Sequence, residues 1–502
     1  MSCRKGGGGD RGKAMARPAP SDAPLADGAA LAKGGRTSFL GFLLRLLARL
    51  PFIFIASRLY GAAPLGQFAY ATMVVEFVAA LALIGLKRGL AADMARGERP
   101  ETHIIADGIA LTMLLSALGV AVLVLFPVLM FPAGEIGLND RLLALIVPAI
   151  VLSDLTLAAL AYRLRIDAQV RARSVVEPWV LTLVAAALAF TAWKEDGLLI
   201  AYAASMVAAM LASVVPCWRL FGAVEGWTPS PRRLWRMARR NGPLAGADLV
   251  EWGTRRLDIF ILGRFASAEM VGIYFAAQQL ASLPQKIRSS FDAVLAPLLS
   301  QALARGDRVA TAANLRQVGF WVLAFQVAAV LGLAFPGDGW MGLFGPAFPA
   351  GTMVMVTLLL VEVVASQASL AEAAMVYALP RLNFLLSAAA MLVQAALSLW
   401  LTPIYGGEGA ALSLLVAVLL LACAKAVVLS RHLGASVLAW RWSLLLCMAP
   451  AALLGWLARG WPEWLMLAAG VPLILLAFGA TLWRFGFLPA DRLLFRRHPD
   501  PR

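Results

Sequence analysis

The sequence is poor in the residues that build most catalytic and metal sites. Its 502 residues include only three histidines and four cysteines. The cysteines are scattered, with no CxxC pair or other ligand-like spacing, so they indicate neither a disulfide framework nor a metal centre. The sequence has no glycine-rich nucleotide-binding loop and no nucleophile placed beside a base. We therefore predict a protein that is not an enzyme and carries no cofactor.

Charged residues are also scarce. They make up 15% of the chain, whereas hydrophobic residues make up 61% and the mean hydropathy is +0.78. A soluble domain has about 25% charged residues, so this composition predicts a membrane protein with many spans. The formal net charge of +15 is typical of lysine and arginine in cytoplasmic loops, and we prefer that interpretation to nucleic-acid binding.

About fourteen apolar segments are long enough to cross a bilayer. The basic stretch 1–36 precedes them and lacks the apolar region of a signal peptide, so we predict a disordered cytoplasmic tail. The segments, numbered span 1 to span 14, are 37–60, 66–90, 104–130, 141–162, 176–193, 198–221, 243–265, 270–299, 316–336, 350–378, 382–402, 408–430, 441–458 and 463–484.

Lysine and arginine are concentrated in alternate loops. The loops "KRGLAADMARGER", "RLRIDAQVRAR" and "SPRRLWRMARR" are basic, whereas the intervening "GAAPLG" and "WKEDG" are not. The positive-inside rule therefore places both termini in the cytoplasm. The opposite loops are too short for the periplasmic domain of a polysaccharide polymerase or ligase.

The chain contains an internal repeat. Between "RLYGAAPLGQFAYA" (58–71) and "RFASAEMVGIYFAA" (264–277), an arginine, a glycine, an aromatic residue and an alanine recur in order, 206 residues apart. Gly66 thus matches Gly272. The repeats begin six spans apart, so both halves have the same orientation. Parallel repeats of this kind form the two lobes of transporters, with substrate held between them.

The repeat predicts the domain organisation. The fold class is all-α, a polytopic membrane protein with two parallel, pseudo-symmetric six-helix lobes. The arginine-rich "RRLWRMARR" has the pattern of a short helix lying on the cytoplasmic leaflet. The predicted parts are the tail 1–36, an N-lobe 37–221, an amphipathic cytoplasmic linker 222–242, a C-lobe 243–430, and spans 13 and 14 with a cytoplasmic tail, 431–502.

These segments resemble a known group of transporters. The motifs "ASRLYGAAPLGQFAYA", "LALIGLKRGLA" and "RRLDIFILGRFASAEMVGIYFAAQQLASLP" are similar to the polysaccharide-export branch of the MOP superfamily, which includes Wzx-type O-antigen flippases. The resemblance covers about 37–430. It implies a bacterial inner-membrane flippase that moves an undecaprenyl-pyrophosphate-linked oligosaccharide by alternating access. Lipopolysaccharide or exopolysaccharide would be the product, and membrane lipids and polymerase or export machinery would be the partners.

The number of spans and the charges of span 2 bear on which transporter group the sequence resembles, so alternative functions stay open. Many Wzx-type proteins have twelve spans, whereas lipid II flippases have fourteen. Lipid II flippases, however, carry an arginine pair inside span 2, where this sequence has no charge between Glu76 and Lys87. The alternatives are a lipid II flippase, a MATE-like cation or drug antiporter and, from a different class, a membrane polysaccharide polymerase or ligase.

Span 1 carries arginines within an apolar segment. Arg45 and Arg49 are four residues apart and share one helical face. A cation inside a bilayer must face protein or water, and a guanidinium binds phosphate oxygens through two hydrogen bonds. We predict that both arginines face a central cavity and bind the pyrophosphate, with Arg45 the stronger candidate. Arg58 lies near the outer end and is predicted to be an interfacial anchor.

Spans 7 and 8 are predicted to form the facing wall. The charged residues of span 7 follow a helical stripe, and Pro284 interrupts span 8. The predicted substrate-binding residues of this wall are Arg255, Arg256, Gln278, Gln285 and Arg288. The candidates for coupling to a proton or sodium gradient are Asp248, Glu251, Asp258, Glu76 and Glu362. A purely structural ion-pair network is the alternative for each of these carboxylates.

Overall fold

The computed structural model describes residues 51–132, 137–285, 307–488 and 491. Every regular element within these ranges is a helix, as the composition predicted. In the N-terminal half the span helices are Ala62–Leu83 with Leu86–Ala95, Glu101–Leu125, Val147–Tyr162, Glu177–Leu188 and Gly197–Phe221. In the remainder they are Pro231–Phe265, Ala268–Ala281, Arg308–Ala334, Thr352–Ala378, Pro380–Leu433, Ser443–Leu457 and Glu463–Gly486.

Nine helices in the described ranges are long and apolar enough to cross a membrane. Spans 1, 5, 7 and 8 are not among them, and Pro380–Leu433 contains both span 11 and span 12. Those two spans are separated by Gly406, whose non-helical backbone (φ 56°, ψ −129°) interrupts the merged helix. The count of fourteen spans stays a prediction.

Span 2 is broken near its basic end. Ile84 and Gly85 have φ values of 44° and 77°, which separate Ala62–Leu83 from Leu86–Ala95. Position 85 also requires a glycine for a steric reason. A Cβ on Gly85 would lie 2.6 Å from the backbone oxygen of Asn241 and the backbone nitrogen of Ala245. The break therefore lets span 2 approach the backbone of span 7 directly.

The two repeats meet through their matching glycines. A Cβ on Gly66 would lie 1.8 Å from the carbonyl oxygen of Ala268, and a Cβ on Gly272 would lie 1.9 Å from the carbonyl oxygen of Ala62. Because Ala62 and Gly66 match Ala268 and Gly272 across the repeat, each half makes the same contact on the other. This reciprocity is the signature of a two-fold interface. Small residues four apart allow such close crossings of membrane helices.

Span 7 is longer than predicted and includes much of the predicted linker. A single helix runs from Pro231 to Phe265, over 35 residues and with Pro243 inside it, so the stretch predicted as a separate short helix is continuous with span 7. Its place on the membrane surface stays a prediction. Two arginines of this stretch pair with carboxylates on the N-lobe. Arg240 lies 2.9 Å from Asp93, and Arg233 lies 3.5 Å from Asp107. The helix therefore continues across the basic side of the N-lobe, the side on which the basic loops lie.

Spans 13 and 14 pack on span 9. Phe320 and Leu331 of span 9 share a buried cluster with Leu444 and Phe478 of the C-terminal pair. Asp491 follows span 14 and is 1% exposed. Its carboxylate accepts hydrogen bonds from Arg441 at 2.6 Å and from the indole of Trp321 at 2.9 Å. Burial alone would raise the pKa of Asp491, but these bonds and one from the Leu488 amide hold the pKa below its ordinary value.

Candidate functional site

The candidate site lies where span 2 of the N-lobe packs along span 7 of the C-lobe. Away from the basic side, the ring of Tyr70 stacks on that of Phe260 with centroids 6.1 Å apart. Further along, Phe77 contacts Trp252 at 4.4 Å. These aromatic contacts form an apolar seam between the lobes, and the charged residues of span 7 lie around it and towards its basic end.

Arg88 joins the lobes at the basic end of the seam. Its Nε lies 3.0 Å from Asp248, and its other nitrogen contacts Glu251. Arg255, one turn further along span 7, also pairs with Glu251, at 3.3 Å. The side chains of Arg88, Glu251 and Arg255 are about half exposed (53%, 48% and 60%). Since lipid cannot accept charges, this interlobe ion cluster (Arg88, Asp248, Glu251 and Arg255) faces water.

Asp258 belongs to a different environment from the other carboxylates of span 7. It is fully buried, and its Oδ2 accepts hydrogen bonds from Tyr274 at 2.6 Å and from Gln278 at 3.2 Å. Its Oδ1 has no hydrogen-bond partner among the described residues. Arg256 is partly exposed beside it. The predicted stripe is thus divided between an exposed cluster and a buried carboxylate, and Gln278 already donates to Asp258.

The other predicted residues lie further apart. Glu76 is near Tyr202 of span 6, whose hydroxyl donates to it at 3.4 Å, so Glu76 contacts its own lobe. Glu362 is partly exposed on Thr352–Ala378, and Gln285 is partly exposed just after Pro284. Ala268–Ala281 is followed by a turn at Ser282 and by helical residues 283–285, so the interruption of span 8 lies next to Pro284. Arg45, Arg49 and Arg288 lie outside the described residues.

Arg58 contacts the opposite lobe. It is exposed, and its guanidinium donates to the carbonyl oxygens of Leu343 at 2.8 Å and Gly342 at 3.3 Å. These carbonyls end the short helix Gly337–Gly342. A cation at a helix C-terminus is favourable, so Arg58 ties the two lobes together on the side opposite the basic loops.

Sequence reasoning missed two ion-pair groups that each contain a largely buried charged side chain. Lys425 of span 12 is completely buried and pairs with Glu372 of span 10 at 2.9 Å. In the N-lobe, Asp154 pairs with Lys87 at 3.3 Å and also contacts Arg173. A charge inside an apolar segment is a visible signal, and it marks Lys425 in "LLLACAKAVVLS". The partners, which are distant in sequence, could not be found that way.

Comparison with solved structures identifies the fold. The structure of "Lipid II flippase MurJ, inward closed conformation" is similar with a TM-score of 0.72, 14% identity, and coverage of 89% of this chain and 98% of that one. An inward-facing multidrug resistance MATE family transporter of the MOP superfamily is similar with a TM-score of 0.64, 14% identity, and coverage of 78% and 94%. A MOP superfamily transporter from Pyrococcus furiosus has a TM-score of 0.55, 16% identity, and coverage of 81% and 95%.

These likenesses give the protein the fold of MOP superfamily transporters, which confirms the predicted fold class. No curated protein matches the chain by sequence. Residues 31–303, more than half of the chain, match the family described as polysaccharide biosynthesis protein. This match includes all of the N-lobe and the first two spans of the C-lobe, and with them the seam between spans 2 and 7. The chain therefore belongs to the polysaccharide biosynthesis protein family.

Proposed function

We propose that this protein is a flippase that moves an undecaprenyl-pyrophosphate-linked oligosaccharide from the inner to the outer leaflet of the bacterial inner membrane. The single observation that carries the proposal is the exposed interlobe ion cluster at the seam of a two-lobed MOP fold. Membership of a polysaccharide biosynthesis family supports it. Polymerase or export machinery would act on the product.

The cations of the site suit a diphosphate. Arg88 and Arg255 are exposed between the lobes, and Arg45, Arg49, Arg256 and Arg288 are the further arginines proposed to line the same space. A guanidinium binds phosphate oxygens with paired, charge-assisted hydrogen bonds. A pyrophosphate without such partners could not leave water at acceptable cost. A drug or cation antiporter would need a site dominated by carboxylates, and we place it second for that reason.

The carboxylates of the interlobe ion cluster would let substrate binding change the contact between the lobes. Glu251 contacts both Arg88 and Arg255, so it already binds the two guanidinium groups with which a phosphate would pair. An arriving pyrophosphate would compete with Glu251 for these guanidinium groups and loosen the contact between spans 2 and 7. Binding would then favour separation of the lobes on the basic side, as alternating access requires. Gly66 and Gly272 close the opposite side during this step.

Coupling to an ion gradient would use a different group. Asp258 is buried with one unpartnered oxygen, and the buried hydroxyls of Ser398 and Thr402 on span 11 likewise lack partners among the described residues. A proton or sodium ion exchanged at Asp258 would act about one turn beyond Arg255 on span 7, at a carboxylate that is fully buried whereas the interlobe ion cluster is exposed. Asp248, Glu251, Glu76 and Glu362 are the remaining candidates.

The test compares arginine variants in cells that depend on this protein for polymer export. We expect Arg45→Ala to abolish export at normal protein level, and Arg45→Lys to restore it in part, because a point charge lacks the two-pronged geometry. Arg58→Ala removes the hydrogen bonds to the carbonyl oxygens of Leu343 and Gly342 but no proposed phosphate ligand, so it should reduce export less than Arg45→Ala does. Undecaprenyl-linked lipids, measured by mass spectrometry, should accumulate on the cytoplasmic side.

The accumulated lipid also separates the alternatives. Accumulation of lipid II would assign the protein to the lipid II flippases, whereas loss of drug resistance without any lipid accumulation would favour an antiporter. Normal export by Arg45→Ala would remove the main support for the pyrophosphate mechanism.

A further inference from the structure

A cationic cavity lies outside the interlobe seam, on the N-lobe. It has a volume of about 540 Å³ and lies at the basic ends of spans 4 to 6. Its polar lining consists of three arginines, Arg165, Arg171 and Arg219. The remaining lining, from Gly197–Phe221, is apolar: Leu211, Ala212, Val215, Pro216 and Leu220. The cavity thus has a cationic rim and an apolar wall.

Two of the three arginines are available to a ligand. Arg165 is held by Asp167 through two hydrogen bonds of 3.0 and 3.1 Å. Arg171 and Arg219 are exposed, and neither makes a hydrogen bond or ion pair within the part of the chain that the structure describes. With one carboxylate against three guanidinium groups, the cavity retains a net positive charge. An anion is the ligand that this charge favours.

The apolar wall continues along the outside of span 6. Val207, Leu211, Val215 and Trp218 follow one another at intervals of four, four and three residues and are all exposed. At this spacing they form a single stripe on the helix. An exposed apolar stripe on a membrane helix faces acyl chains. The cavity lies at the basic end of this stripe, where a lipid's headgroup would meet the protein.

Two backbone features favour a headgroup at this place. Pro216 has no N–H, so the carbonyl oxygen of Ala212 lacks its usual partner within the helix and can accept a hydrogen bond from a headgroup hydroxyl. Leu164 has a φ of 57° and is 80% exposed, between Arg163 and Arg165. A strained, exposed leucine between two arginines suits insertion at a membrane surface.

We propose that this cavity binds an anionic glycerophospholipid of the surrounding leaflet. The phosphate would contact Arg171 and Arg219, and the acyl chains would lie along the exposed stripe of span 6. A free phosphate would leave the apolar wall uncovered. The lipid-linked substrate is less suited to this cavity, because the cavity lies on the outer surface of one lobe and not between the lobes. The inference does not depend on the proposed flippase function.

The test measures lipid binding to the purified full chain by native mass spectrometry. The probes are phosphatidylglycerol, phosphatidylcholine with the same acyl chains, undecaprenyl phosphate and inorganic phosphate. We expect phosphatidylglycerol to bind at least about tenfold more tightly than phosphatidylcholine. Arg171→Gln with Arg219→Gln should remove that preference, and Arg171→Lys with Arg219→Lys should keep part of it.

The matched control is Arg232→Gln with Arg236→Gln, which removes the same charge from exposed positions of Pro231–Phe265 outside the cavity. It should leave the affinity for phosphatidylglycerol within about twofold. An equal loss in both double variants would show a general charge effect and overturn the proposal. So would stronger binding of undecaprenyl phosphate than of phosphatidylglycerol at the arginines, or saturation by inorganic phosphate. If the glutamine variant failed to fold, equal affinity of the unaltered protein for phosphatidylglycerol and phosphatidylcholine would overturn the proposal.

Discussion

The reciprocal contact between Gly66 and Gly272 predicts that a single methyl group will open one side of the protein. A Cβ at Gly66 would lie 1.8 Å from the carbonyl oxygen of Ala268, and real Cβ contacts are essentially never shorter than 3.0 Å. The clashing atom belongs to the backbone, so no side-chain rotation can relieve the clash. Spans 2 and 8 must therefore separate by about 1.2 Å or more in Gly66→Ala.

The energetic effect follows from this separation. Overpacking of a close contact costs about 1–3 kcal/mol, and a coupling of that size changes the ratio of two conformations by about 5- to 150-fold. In Gly66→Ala, the ratio of the conformation in which spans 2 and 8 are in contact to the conformation in which they are apart should fall by that factor. Gly272→Ala should have a similar effect, because its Cβ would lie 1.9 Å from Ala62. The double variant should add little, since the helices are already apart.

The assay is a distance measurement between spin labels on the two sides of the crossing. Ala63 and Glu269 are exposed neighbours of the two glycines and can be replaced by cysteine in a chain without its native cysteines. We expect Gly66→Ala to shift the distance distribution to longer values and to slow transport. Gly246→Ala is the matched control, because its Cβ would meet no atom within 4 Å. An unchanged distribution in Gly66→Ala, with normal transport, would refute the reasoning.

Three further predictions concern the ion pairs. Arg88→Glu should disrupt the contact of the lobes on the basic side and slow transport. Adding Glu251→Arg should restore transport in part. A double variant that transports no faster than Arg88→Glu would contradict the pairing of Arg88 with Glu251. Glu372→Ala should lower stability by about 1–3 kcal/mol, because fully buried Lys425 loses a partner whose side chain is 46% exposed, and Lys425→Met should recover most of the loss in thermal unfolding. The carboxylate of Asp491 has a lowered pKa, so its contribution to stability is present above the unfolded value of about 3.9 and is lost as pH falls through the lower folded value. Asp491→Asn should therefore remove acid-dependent loosening of the C-terminal pair, measured by fluorescence of Trp321.

The sequence predicted the helices well where composition alone decides them. Span 6 was predicted at 198–221 and is observed at Gly197–Phe221, and span 10 was predicted at 350–378 and is observed at Thr352–Ala378. A helix in a bilayer needs only an apolar run of sufficient length, so local sequence suffices. The repeat likewise predicted that Gly66 and Gly272 are equivalent, although it did not show that they touch.

The ion partners could not be predicted in the same way. Helical spacing shows which residues share a face, but it does not show which helix lies opposite. Arg88 and Glu251 are 163 residues apart and belong to different lobes. The same limit applies to 222–242, where the clustered arginines gave no sign that two of them, Arg233 and Arg240, pair with Asp107 and Asp93 of the N-lobe.

The length of span 7 has a mechanical consequence. A helix of 35 residues measures about 52 Å, against about 30 Å for the hydrocarbon core of a bilayer. Pro231–Phe265 is therefore long enough to project beyond the membrane and to act as a lever. Its internal proline, Pro243, is the position at which the helix can bend. A tilt of about 10° at the end near Phe265 would carry the far end sideways by about 9 Å. That displacement would reach Asp93 and Asp107, the partners of Arg240 and Arg233, so rocking of one lobe would be transmitted to the helices of the other through Pro243, the position at which span 7 can bend.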